Sequence, residues 1–198
     1  MKRVFFVLAF FVTLVFVFSS CKKNEKNLIV GKWEIDSVYY ENQEETFRQI
    51  ASHAIETAEK NKQILEDSLK AMENRGLKSS IDSLYYQTFQ NQLSSITQMI
   101  DYYSNYEDFR SDMLKSASDA KGSVFEFKKD STLIFPNSTE PAKWYIKNDS
   151  LFIVVGNSNM PMDIVSLSKK ELVLRATQRV DTSLALTIVY KFNKTDSK

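Results

Sequence analysis

The sequence predicts an α+β protein. An eight-stranded antiparallel β-barrel, closed up and down, carries an inserted helical hairpin plus a return helix after its first strand. Three observations lead there. Between Gln43 and Lys121 the apolar residues recur at helical spacing and no proline occurs. On both sides of that stretch the texture is strand-like, and beyond residue 122 seven segments follow one another through short turns. In the last segment Leu184, Leu186, Ile188, Tyr190 and Phe192 share one face. Antiparallel strands in sequence order close readily into a barrel, which removes the exposed sheet edges.

In chain order, Met1-Lys2-Arg3 leads into an apolar run from Val4 to Phe18 broken only by Thr13, then Ser19-Ser20-Cys21. A charged start, a short apolar run and small residues at the cut predict a secretory signal over 1–20. The run has 15 residues, whereas a membrane-spanning helix needs about 20. Cys21 is the only cysteine, so it has no disulfide partner. The segment resembles a lipobox, with Phe18 where Leu is commonest. That resemblance implies lipidation of Cys21 and attachment to a membrane, lasting when two or more chains are attached. Residues 21–27 then form a polar tether. The chain has 26 basic and 25 acidic residues. Loss of Lys2 and Arg3 leaves 24 basic residues and a formal charge of −1, so no basic field for nucleic acid exists.

The first strand is expected over Leu28–Tyr40. One helical stripe follows: Phe47, Ile50, Ala51, Ala54, Ala58, Leu65, Leu69 and Met72. Gly76 is placed to end that helix. A second stripe runs Ile81, Leu84, Phe89, Leu93, Ile96, Ile100 and Tyr103, and a third Tyr106, Phe109, Met113, Ala117 and Ala120. These stripes are expected to bury against one another or against the strands. Further strands are expected at Ser123–Lys128, Ser131–Phe135, Ala142–Lys147, Leu151–Val155, Met162–Leu167, Leu172–Thr177 and Leu184–Asn193. Residues 28–40 and 122–194 thus make the barrel, and 41–121 the helical insertion.

At this point a family resemblance emerges. Leu28-Ile29-Val30-Gly31-Lys32-Trp33 resembles the Gly-x-Trp opening of lipocalins. Phe125-Glu126-Phe127 with Asp130-Ser131-Thr132, and Trp144 to Ile153, resemble successive hairpins of lipocalin-like lipoproteins from Bacteroidota, which often carry Gly where this chain has Ser131. The resemblance covers roughly 28–40 and 122–193. It implies that Gly31 and Trp33 close one end of the barrel, and that the interior is a candidate site for a small apolar ligand. Lipocalins set a late-strand Arg against that Trp, and the sequence does not choose between Arg175 and Arg179. Lys22-Lys23 lacks the acidic stretch tied to surface export in that phylum. The expected location is therefore the cell envelope, lipid-anchored at the outer membrane and facing the periplasm.

Inward parity makes Phe125, Phe127, Trp144, Tyr190 and Phe192 candidate ligand-lining residues. The same bulk predicts a core filled solid, since eight strands leave an interior just wide enough for side chains. Any cavity is expected at the end opposite Trp33. His53 is the only histidine, on the flank of the first stripe, and reads as a plain helix-surface residue. Without a second His or a free Cys no metal site is expected. The four glycines are scattered, and no Gly-x-Ser-x-Gly occurs. No catalytic residue and no cofactor are assigned. Asp-Ser steps resemble the O-glycosylation site of exported Bacteroidota proteins, with Ser131 and Ser150, in turns, as candidate acceptors. The expected function is non-enzymatic binding. Two alternatives stand beside it: an interaction lipoprotein with a solid barrel that binds an envelope protein through its helical insertion, and an envelope hydrolase, which would require a polar cleft with two carboxylates.

Overall fold

A computed structural model of the chain describes residues 25–136, 138 and 140–195. Eight strands form a closed barrel in sequence order. They are β1 (Gly31–Tyr40), β2 (Val124–Phe127), β3 (Thr132–Ile134), β4 (Ala142–Lys147), β5 (Ser150–Val155), β6 (Ser158–Leu167), β7 (Glu171–Arg179) and β8 (Ala185–Thr195). Three helices lie between β1 and β2: α1 (Gln43–Arg75), α2 (Ser80–Ser104) and α3 (Tyr106–Asp119). The chain divides into two compact units. Among the described residues, one holds those up to Tyr40, those of Ala117–Gln178 and those from Thr187 on; the other holds Glu41–Ser116 and Arg179–Leu186.

In the barrel unit, closure is made by β1 against β8, from Lys32–Thr195 to Tyr40–Ile188. Asn148 and Asp149 both have positive φ, 51° and 60°, and they join Lys147 to Ser150. Two positive φ values in a two-residue loop match the right-handed twist of the flanking strands. Two strands carry bulges, between Ile35 and Ser37 in β1 and between Ile164 and Ser166 in β6. Each shifts the inward face by one residue. Trp33 and Ile35 are therefore followed inward by Val38, and Met162 and Ile164 by Leu167. The simple two-residue alternation of a strand is broken at that point.

The beginning of the chain departs from the expected strand. Residues 25–29 form a helical turn, and β1 starts only at Gly31. The turn buries Ile29 completely. β6 begins earlier than expected, because Pro161 lies inside it, paired with Phe152.

In the helical unit, α1 ends at Arg75 and Gly76 follows with φ 70°, a conformation that costs glycine little. Ser79 Oγ accepts from the Asp82 N–H at 3.1 Å, and Asp82 returns a bond to the Lys78 N–H, also at 3.1 Å. This reciprocal cap starts α2. Phe47, Ala51, Ala58 and Leu69 of α1 and Phe109 of α3 are buried. Phe109 gathers Phe47 at 5.9 Å and Tyr103 at 5.2 Å. The second stripe behaves differently: α2 contributes no buried residue. Ile81 and Leu84 are each 63% exposed, while Phe89, Leu93, Ile96, Ile100 and Tyr103 are half-buried. A helix in a hairpin has one neighbour along most of its length, which covers a narrow strip rather than a whole apolar face.

Candidate functional site

The barrel has two unlike ends. At one end meet the starts of β1, β3, β5 and β7 and the finish of β8. Trp33 is fully buried there. Its indole N–H donates to the Ile29 carbonyl at 2.6 Å, so the helical turn over 25–29 lies against the plug and satisfies its one polar atom. The cation over the Trp33 ring is Lys194, with Nζ 4.9 Å from the ring centroid. Lys194 is neither of the two arginines considered from the sequence, Arg175 and Arg179. Lys194 Nζ donates to the Leu28 and Val30 carbonyls at 2.8 and 2.9 Å, and burial lowers the pKa of its ammonium. This residue escaped the sequence reading, yet the inward parity of β8 extends from Tyr190 and Phe192 to Lys194.

Gly31 fits the same plug. Its φ is +134°, and a Cβ there would lie 2.8 Å from Lys194 Cε. Trp144 also belongs to this end. Its indole N–H is shared between the Lys128 and Thr132 carbonyls, at 3.2 and 3.1 Å, and its ring meets Phe127 edge-to-face at 5.5 Å. With Leu133, Leu151 and Leu172, all fully buried, the two tryptophans fill this end solid.

The opposite end is hollow. A cleft of about 520 Å³ opens among β2, β3, β5, β6, β7 and β8. Its rings are Phe125, Phe127, Phe135, Tyr190 and Phe192; the remaining apolar wall is Ile153, Met160, Pro161, Met162, Leu174, Ala176 and Ile188, with Asn159, Thr177 and Gln178 as polar members. Phe125 meets Phe135 and Phe192 edge-to-face at 5.5 and 5.6 Å, an arrangement favoured by the ring quadrupoles. Four of the five expected lining residues, Phe125, Phe127, Tyr190 and Phe192, line this cleft, and Trp144 does not, because it sits in the plug. The sequence missed Met160, because its strand was expected to start only at Met162 and starts at Ser158; Ala176, inside its expected strand, was not singled out. The expectation of a filled core thus applies to one half of the barrel only.

None of the cleft-lining residues is charged. Three charged residues of the same strands alternate with lining residues and sit at the opposite parity: Glu126 between Phe125 and Phe127, Arg175 between Leu174 and Ala176, Lys191 between Tyr190 and Phe192. Burial raises the Tyr190 pKa, reinforced by Tyr40, so this phenol is neutral across the physiological range.

His53 is not a plain surface residue. Its Nε2 lies 3.0 Å from Asp181 Oδ2. Asp181 Oδ1 accepts from the Ser183 and Leu184 N–H groups at 2.5 and 2.7 Å, and these bonds lower its pKa. The pair fastens α1 to the 179–186 loop within the helical unit. Among the described residues no group of three or more His, Cys, Asp or Glu is placed to hold a metal, and no helix is long and apolar enough to cross a membrane. Cys21 and the signal segment lie outside the described residues. Ser131 and Ser150 are half-buried rather than open turn residues. Ser131 Oγ accepts from Lys26 Nζ at 3.3 Å, and Ser150 Oγ donates to Asp163 Oδ1 at 3.3 Å.

A closed up-and-down barrel with one plugged end and one apolar, hollow end defines a class of small-molecule binding barrels. A family model described as a lipocalin-like domain matches residues 29–174, and the chain belongs to that family. Proteins of the family are generally non-enzymatic binding proteins. No curated relative and no solved structure matches the chain.

Proposed function

We propose that this protein is a non-enzymatic lipoprotein of the Bacteroidota lipocalin-like group, held at the outer membrane by lipid on Cys21 and facing the periplasm, and that its barrel binds a small apolar ligand. The observation that carries the ligand reading is the cleft opposite the Trp33 plug. Its 520 Å³ falls within the range of about 300–1,000 Å³ usual for ligand pockets, and its mostly apolar lining with a few polar groups is the usual pocket chemistry. Phe125, Phe127, Tyr190 and Phe192 are the lining residues assigned to contact the ligand. The leader sequence and the single cysteine support the anchor, and Ser131 and Ser150 remain the candidate glycan acceptors.

The test is native mass spectrometry of protein purified without detergent from its host as Cys21→Ser, followed by organic extraction. A stoichiometric apolar adduct is expected. Ala176→Trp should fill the cleft and remove the adduct while leaving the melting temperature within a few degrees. An adduct that survives Ala176→Trp, or a clean mass from the unsubstituted barrel after exposure to envelope lipid extract, refutes the reading. Intact mass of the unsubstituted chain tests the anchor and the glycans together.

One observation favours a second reading, in which the helices bind an envelope protein. Ile64, Ile81, Leu84 and Tyr85 are all more than half exposed on the α1–α2 hairpin. A crosslinked partner lost on Ile81→Asp/Leu84→Asp would establish it.

A further inference from the structure

We infer that the barrel selects uncharged lipophiles bearing a single hydrogen-bonding end, and rejects their carboxylate counterparts. This rests on the proposed ligand-binding reading and specifies its ligand. The inference comes from what surrounds the cleft. Five rings and two methionines stand in the wall, and the polar lining side chains are those of Asn159, Thr177, Gln178 and Tyr190. All four groups are neutral hydrogen-bonding partners: amides, a hydroxyl and a phenol.

A fatty carboxylate with its head at Asn159 and Gln178 would give up part of its hydration there and meet no cation in the lining. An ionised group placed in apolar surroundings without a partner is strongly disfavoured. Arg175 and Lys191 are on the other face of their strands, because they alternate with Ala176 and Phe192. Lys194 shares the inward parity of β8, but it lies in the plug and is bonded to the Leu28 and Val30 carbonyls. An alcohol, amide or ester loses far less on entry. Its polar end can exchange bonds with the amides of Asn159 and Gln178, both exposed, while its apolar body lies along Phe125, Tyr190 and Phe192.

The experiment compares dodecanol, methyl dodecanoate and dodecanoate, the first two below their solubility limits and the acid below its critical micelle concentration. Binding to the Cys21→Ser chain is read at neutral pH by displacement of an environment-sensitive fluorescent probe and by native mass spectrometry. The alcohol and the ester should bind at least about tenfold more tightly than the acid, equivalent to about 1.4 kcal/mol. Gln178→Lys should narrow or invert that ratio by placing an ammonium at the cleft. Dodecanoate binding as tightly as its ester overturns the selectivity while leaving ligand binding intact. An unchanged ratio in Gln178→Lys, with the variant's melting temperature retained, overturns the assignment of that end to the ligand's polar group. If none of the three binds at saturation, ligand binding itself fails and the selectivity fails with it.

Discussion

Replacing Gly31 with Ala tests how the plugged end is held. Two separate costs arise. The first is conformational: φ at +134° is a region that non-glycine residues occupy at about 1–3 kcal/mol. The second is steric. The new Cβ would meet Lys194 Cε at 2.8 Å, and this lysine cannot retract without giving up its bonds to the Leu28 and Val30 carbonyls. Charge-assisted bonds contribute about 1.5–3 kcal/mol each when buried. Lys194 is only half-buried, so water replaces much of that and about 1–2 kcal/mol is lost in all. The sum is about 2–5 kcal/mol, or a melting point about 4–20 °C lower for a chain of this size. Urea unfolding followed by tryptophan fluorescence is the assay, because both tryptophans sit in the plug. A double-mutant cycle separates the two costs. In a Lys194→Ala background, Gly31→Ala should retain only the conformational cost. A loss below about 0.5 kcal/mol, or equal losses in both backgrounds, would refute the account of how Gly31 and Lys194 share this space.

Two further outcomes are expected. Ser131 has φ 66°, where its side chain costs about 1–2 kcal/mol relative to glycine. Ser131→Gly gives back part of that gain through the larger entropy of the unfolded chain, so a net stabilisation of about 0.5–1 kcal/mol is expected in thermal melts; a lowered melting temperature would contradict this. Asp181 titrates below its ordinary value in the folded chain because the Ser183 and Leu184 N–H groups donate to it. A depressed carboxyl stabilises the fold above its unfolded pKa of about 3.9, and that contribution disappears as pH falls through the folded value. The protection factors of the Ser183 and Leu184 amides should therefore fall below about pH 4, and Asp181→Asn should remove that pH dependence of protection.

The barrel was readable in sequence because its turns and inward faces obey local rules. Asn148-Asp149 announces a tight hairpin from residue type alone, and β8 alternates over four apolar positions from Leu186 to Phe192. What escaped depended on long-range pairing. Lys194 becomes meaningful only when β8 is laid beside β1 so that Trp33 and Lys194 are partners. The His53–Asp181 contact joins residues more than a hundred positions apart, and a lone histidine on a helix carries no trace of it. The cleft was hidden for a different reason. A list of inward residues says how many rings point inward, but not how they distribute along the barrel axis. Here the two tryptophans collect at one end, while Ala176 and the thioethers of Met160 and Met162 lie at the other. The exposed face of α2 was misjudged because a helical stripe shows that a face is apolar, not that a neighbour exists to cover it.

The bulge in β1 offers a sharper test of how this chain sets its inward face. Ile35 pairs with Phe192 and Ser37 with Lys191, which leaves Asp36 as the extra residue. Two residues on the bulged strand then face one on its partner. Trp33, Ile35 and Val38 all reach the core for that reason. Deleting Asp36 would bring Val38 two positions after Ile35, so every inward side chain keeps its face and only the local kink is lost. Deleting Glu34 instead makes Trp33 and Ile35 neighbours, which must point to opposite faces. Either the plug or Ile35 then turns outward, because a one-residue slip exchanges the two sides of a strand. Removing Trp33 from the core costs about 3–5 kcal/mol, a large part of the roughly 5–15 kcal/mol that holds a domain folded. The Asp36 deletion should give a folded protein with native-like near-ultraviolet dichroism. The Glu34 deletion, one strand-step away and alike in charge, should not. If both deletions unfold the chain, the bulge itself stabilises the barrel; if both are tolerated, the inward face of β1 is not set by the register through Trp33.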